Sequence, residues 1–139
     1  MINAQAKKNI RKAIYLAEQK TSGEIRVHLD KKGGNDPFDE GKKVFEKLGM
    51  TNTEARNGVL IYLCFNRKQI AILGDKGIHE LVPDTFWDNT YKRMAEAFKK
   101  GAFEEGICAA IHEIGLKLSL HFPVNNHNPD ELSNEITES

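Results

Sequence analysis

Apolar residues recur at helical spacing from the start of the chain. Ala6, Ile10, Ala13, Ile14 and Ala17 share one face, which predicts an amphipathic helix over residues 4–20 that stops at TSG. The period then changes to two. In EIRVHLD, Ile25, Val27 and Leu29 point one way and Glu24, Arg26, His28 and Asp30 the other, which predicts a strand with one wet or polar face. KKGGN makes the exit loop. Asp36-Pro37 reads as an N-cap followed by proline at the first helical position, and it starts a helix bearing Phe38, Val44, Phe45 and Leu48.

GVLIYLCF is an unbroken run without alternation, so both of its faces are covered and it is the central strand. NRK turns the chain and QIAIL returns antiparallel as a hairpin partner. The first strand, a helix and the central strand form a right-handed crossover, which makes those two strands parallel. GDKGIHELVP is a loop with room for one helical turn. Asp84 is expected to cap a helix whose stripe is Trp87, Tyr91, Met94 and Phe98, ending at Gly101. A last helix puts Phe103, Ile107, Ala110, Ile111, Ile114 and Leu118 on one face and ends at Pro123. The expected fold is α/β, a three-layer α/β/α sandwich with a small mixed sheet of three strands and a possible fourth short one in a loop. It is a single domain over residues 1–122. The aperiodic tail, 123–139, is expected to be disordered.

Charge changes this picture little. Twenty basic side chains balance twenty acidic ones, and the tail carries four acidic residues and no Lys or Arg. Nothing argues for a nucleic-acid partner. Cys64 and Cys108 sit in apolar runs and read as buried thiols rather than zinc ligands or a disulfide pair. The N-terminus has no apolar signal region and no window is long enough to span a membrane, so a cytoplasmic monomer is expected.

The ordered set TSGEIRVHL, RNGVLIYL, the NR turn, GDKGI, PDTFWD and the F-x-x-G-x-F-x-x-G-I-x-x-A-I run resembles the TPM domain family over roughly residues 3–122. That family is named from a thylakoid lumen protein, a photosystem II repair protein and a nematode acetylcholine-receptor modulator. The resemblance implies an α/β/α sandwich, divalent-metal binding in some members, and an acid phosphatase activity attributed to a plant member. Many relatives carry a signal peptide and a membrane helix or a Gly-rich tail; this chain shows none and looks like a stand-alone bacterial form. It also has Arg56 where relatives commonly place an acidic or polar residue before NGVL, and GDKG where they have G-Y-G.

Hairpin pairing should bring Asp75 near Arg56, Asn57 and Glu24, with Asp84 and Asp88 close behind. Asp75, Asp84, Asp88, Asn57 and Glu24 together offer the hard oxygen donors that calcium first, or magnesium, takes. The other reading is equally open: Asp75 bonds loop amides, Asp84 is only a cap and Asp88 faces water. At the opposite sheet end, Asp30, Asn35, Asp36 and Asp39 gather near the NRK turn as a second oxygen-rich loop.

No phosphate loop, no G-x-S-x-G and no complete H-E-x-x-H is present, and His28 reads as a surface or hydrogen-bonded core histidine. The function expected is therefore a divalent-metal-binding regulatory or interaction module, presenting an ordered loop edge to a protein partner. The alternative is a weak metal-assisted acid phosphatase, in which the same carboxylates hold the metal and Arg56 and Lys76 meet the phosphate.

Overall fold

A computed structural model describes residues 2–124 and 136–139. Helix α1 spans Ala4–Glu18 and is capped by Asn3, whose side chain accepts from the Ala6 N–H at 2.8 Å. Strand β1 is Glu24–Leu29, α2 is Pro37–Lys47, and β2 is Gly58–Cys64. A 3-10 turn at Phe65–Arg67 leads into β3, Gln69–Gly74, followed by the single turn of α3, Lys76–His79. Helices α4, Asp88–Lys99, and α5, Phe103–His121, come next, and β4, Thr137–Glu138, is the last element.

The sheet order is β3-β2-β1-β4. β1 and β2 are parallel, with Ile25 opposite Val59, as a right-handed crossover through α2 requires. β2 and β3 are antiparallel, with Ile61 opposite Ile72. All seven residues of β2 are buried, because helices cover both faces of this strand. On one face Ile25, Val27, Val59, Ile61 and Ile72 pack against Ile10 and Ile14 of α1, Met94 of α4 and Ile111 of α5. On the other, Leu60, Tyr62, Ala71 and Leu73 meet Phe45 of α2 and Met50. Gly41 lets α2 lie close over β3: a β-carbon there would stand 2.6 Å from Leu73 Cδ1.

Two expectations are corrected, and one left open is resolved. The described end of the tail, 136–139, is ordered: β4 pairs in parallel with β1, His28 opposite Thr137, and Ile136 packs against the main core. The fourth strand thus comes from the tail rather than from a loop; residues 125–135 lie outside the described residues. Of the two readings of the second face of β1, wet or polar, the buried polar one holds, since Glu24, Arg26 and His28 are all buried. β1 is an interior strand, and His28 Nδ1 and Nε2 each lie 2.7 Å from a hydroxyl, Thr137 Oγ1 and Ser139 Oγ. Finally, α4 starts at Asp88 with Trp87 in the cap position and no side-chain cap bond, so Asp84 is not its N-cap. Asp84 instead begins a run of turns, in which Phe86 donates to the Pro83 carbonyl at 3.0 Å.

Candidate functional site

The hairpin register fixes what lies beside Asp75. The Asp75 N–H donates to the Gly58 carbonyl at 2.9 Å, one step beyond the Val59–Gly74 pair, so the two residues before β2 and the residue after β3 are neighbours. Arg56 sits there in a left-handed conformation, φ 51°. Its guanidinium grips the Asp75 carboxylate with both arms, Nε to Oδ2 at 2.7 Å and Nη2 to Oδ1 at 2.9 Å. Asp75 is 6% exposed and Arg56 34%, so the pair closes a buried carboxylate with a half-buried cation. The carboxylate in turn holds the guanidinium pKa above its usual range through these hydrogen bonds. Asp75 Oδ1 also accepts from the Lys76 N–H at 2.8 Å and so caps α3. Gly77 finishes the joint by donating its N–H to the Arg56 carbonyl at 2.9 Å, and a β-carbon at Gly77 would stand 2.1 Å from the Ala55 carbonyl oxygen.

The five residues expected to hold a divalent cation do not form one constellation. Both Asp75 oxygens are engaged by Arg56. Asn57 is buried and donates from Nδ2 to Ser22 Oγ at 3.3 Å; its Oδ1 has no partner among the described residues. Glu24 is buried opposite Gly58. Asp84 and Asp88 share a separate cleft with His79, Phe38, Trp87 and Tyr91. Among the described residues no three His, Cys, Asp or Glu side chains gather in a way that could hold a metal ion. One amide oxygen and a carboxylate taken by an arginine fall well short of the roughly six to eight oxygens calcium requires. The predicted set does not fit the ion as a chelate.

The opposite loop is closed in the same manner. Arg67 Nε and Nη1 donate to the carbonyls of Lys32 and Gly34 at 2.8 and 3.2 Å, and Asn66 Nδ2 donates to that of Lys31 at 2.9 Å. Asp36 accepts from the Phe38 N–H at 3.0 Å, as its capping role predicts. Asp30 Oδ2 accepts from the Tyr62 hydroxyl at 2.5 Å. That bond is one cause of the lowered pKa of Asp30, where hydrogen bonds to the carboxylate outweigh burial; burial and the same carboxylate push the tyrosine pKa upward. His28 lies in a shallow stack on Tyr62, ring centroids 6.2 Å apart, with its pKa lowered by burial. The sequence reading missed the surface beside Asp84: Phe38 and Tyr91 stand 41% and 42% exposed at the sheet edge. Aromatic residues in the first turns of two different helices were the available signal.

The structure is similar to BA42 from the psychrophilic bacterium Bizionia argentinensis, with 43% identity, TM-score 0.93, and coverage of 100% of this chain and 96% of that one. It shares its fold with the N-terminal domain of a P. gingivalis protein at 21% identity and TM-score 0.70, covering 91% of this chain and 83% of that one. The same holds for the N-terminal domain of a Corynebacterium glutamicum protein at 18% identity and TM-score 0.65, covering 93% and 84%. No curated protein matches the chain. Among the described residues no helix is long and apolar enough to cross a membrane. The TPM domain model matches residues 1–116, the span from α1 through most of α5 that contains both arginine-closed loops, and this chain belongs to the TPM domain family.

Proposed function

We propose that this chain is a non-catalytic interaction module whose loop edge is held in place by its own arginines. The observation that carries this reading is the two-armed bond of Arg56 to Asp75, because it fills the position where a metal ion would tie the 74–88 segment to the chain before β2. Arg67 does the equivalent work at the other end of the sheet. A divalent cation, calcium ahead of magnesium, then has Asp84 and Asp88 on the cleft rim as its partners within the predicted set. It takes its remaining ligands from water and binds weakly.

The test is a melting curve and an amide NMR titration with calcium and magnesium at millimolar concentrations. Weak binding at the rim stabilises by about 0.4 kcal/mol when the free ion equals Kd, a rise of roughly 1–2 °C, with shifts confined to the region of Asp84 and Asp88. Asp75→Asn should leave that response in place and lower the melting temperature, since it deprives Arg56 of its partner. A rise of many degrees that Asp75→Asn abolishes would return the metal to the buried carboxylate and defeat this reading. Steady turnover of p-nitrophenyl phosphate with the same metal, lost in Asp84→Asn/Asp88→Asn, would establish the phosphatase alternative.

A further inference from the structure

β3 is an outer strand of the sheet, and among the described residues no strand borders its far side. Since Asp75 bonds Gly58, the alternation of an antiparallel ladder turns residues 69, 71 and 73 toward β2 and turns the N–H and C=O groups of Ile70 and Ile72 outward. Among the described residues these outward groups take no hydrogen-bond partner. Such an edge is a template for another strand unless something blunts it.

The edge lies on the floor of a trough. A cleft of about 380 Å³ runs between Phe38 of α2 and Trp87 and Tyr91 of α4, with Ile70, Ala71 and Ile72 beneath. A second cleft of about 710 Å³ continues from Ile70 and Tyr91 past Gln69 to Phe98 and Phe103. The ends of the trough carry opposite charge: Lys68 and Lys99 line it at the Gln69 end, and Asp84 and Asp88 line it at the Ile72 end. Phe38 of α2 stands on one side of β3 and Trp87 and Tyr91 of α4 on the other, so these helices wall the edge. They keep out a second copy of this chain, whose own edge would be equally recessed and could not come within the ~4.8 Å that strand pairing needs.

We propose that the open edge of β3 accepts an extended peptide of about six residues as a fifth strand, apolar in its middle, basic beside Asp84 and Asp88 and acidic beside Lys68 and Lys99. This rests on the reading of the chain as an interaction module and names the class of its partner. Antiparallel addition, the more stable arrangement, places the basic residue at the N-terminal end of the peptide and the acidic one at the C-terminal end. Main-chain bonds to Ile70 and Ile72 supply the pairing, and the aromatic walls and end charges supply selectivity.

The experiment titrates the full chain with the blocked hexapeptide KIVTVE and with its charge-exchanged counterpart EIVTVK, followed by amide NMR. KIVTVE should shift the amides of residues 69–74 and of Tyr91. EIVTVK should bind about tenfold more weakly, since two favourable end contacts become two unfavourable ones. Asp84→Lys/Asp88→Lys, two surface changes that leave the core intact, gives each peptide one favourable and one unfavourable end and should erase the preference. A KIVTVE peptide N-methylated at the residues whose N–H groups face β3 loses its main-chain bonds to Ile70 and Ile72 while the protein is unchanged, and it should not bind. Shifts confined to other surfaces, or no binding of either peptide at millimolar concentration, overturn the proposal and leave the interaction reading standing. A free chain that sediments as a dimer with its β3 amides protected overturns it in favour of a second copy. Phosphate turnover, or a large metal response that Asp75→Asn abolishes, in the preceding assays removes the reading on which it rests.

Discussion

Gly77→Ala is the sharpest perturbation of the joint between Arg56 and Asp75. The added methyl would stand 2.1 Å from the Ala55 carbonyl oxygen and 2.6 Å from that of Arg56, and both neighbours are backbone, so the turn of α3 must move away. Overpacking of this kind costs about 1–3 kcal/mol. The displaced turn also loses the Gly77 N–H bond to Arg56, about 1 kcal/mol. Alanine recovers about 1 kcal/mol through helix propensity and a less flexible unfolded chain. The net loss is about 2 kcal/mol, which for a chain of 139 residues lowers the melting temperature by roughly 8 °C. A thermal melt followed by circular dichroism gives the loss, and the side-chain Nε–H resonance of Arg56 in a nitrogen-correlated spectrum reports whether the ion pair has loosened. Should the variant melt at or above the parent temperature with that resonance unmoved, the close packing of α3 against residues 55–56 is not what orders this loop.

Three further predictions address the core and the tail. Ile61, fully buried in β2, should cost about 3 kcal/mol when replaced by alanine, readable as a fall in the urea midpoint at unchanged slope. His28 has its pKa lowered from 6.5, first by burial and also by Lys47, against opposing pulls from Asp30 and Glu138. The unfolded chain therefore binds this proton at higher pH than the folded one. Its contribution is fully present above about pH 6.5 and is lost as pH falls through the lower folded value; His28→Gln should flatten the melting temperature in that window. A chain ending at Ile136 should melt lower than the parent and show the His28 pKa rising toward 6.5, because both hydroxyl partners are gone and water reaches the ring.

The main elements were legible because each left a strong periodic mark. The unbroken run from Val59 to Leu63 could only be a strand covered on both faces, and counting back through the hairpin puts Asp75 next to Arg56 from the pattern alone. What the pattern could not convey was the use made of that neighbourhood. A carboxylate near an amide and other carboxylates suggests a cation site, but the long, flexible arginine side chain reached the oxygens itself. β4 was illegible for a different reason: two residues have no period, and their pairing depends on a strand far away in sequence. Pattern alone left the second face of β1 open between wet and polar, because the hydroxyls that meet His28 lie beyond the domain boundary drawn at residue 122. Asp84 had the composition of a cap, yet the chain spends Asp84 to Trp87 in turns and enters the helix only at Asp88.

The β1–β4 pairing joins His28 to Thr137 across 109 positions of sequence. A contact of that span closes a large loop for a very short ladder, so most of the ordering entropy of the tail end is returned each time it detaches. The sheet should accordingly come apart in order. Amides of β4 exchange with solvent by a local opening far below the global unfolding free energy, while those of β2 exchange only when the whole molecule unfolds. During folding the order runs the other way: the β2–β3 hairpin and the β1–β2 crossover form over short separations, and the last strand arrives on a sheet already built. His28 is then solvated until the final step, so its ring resonances report the docking of the chain end separately from the formation of the core.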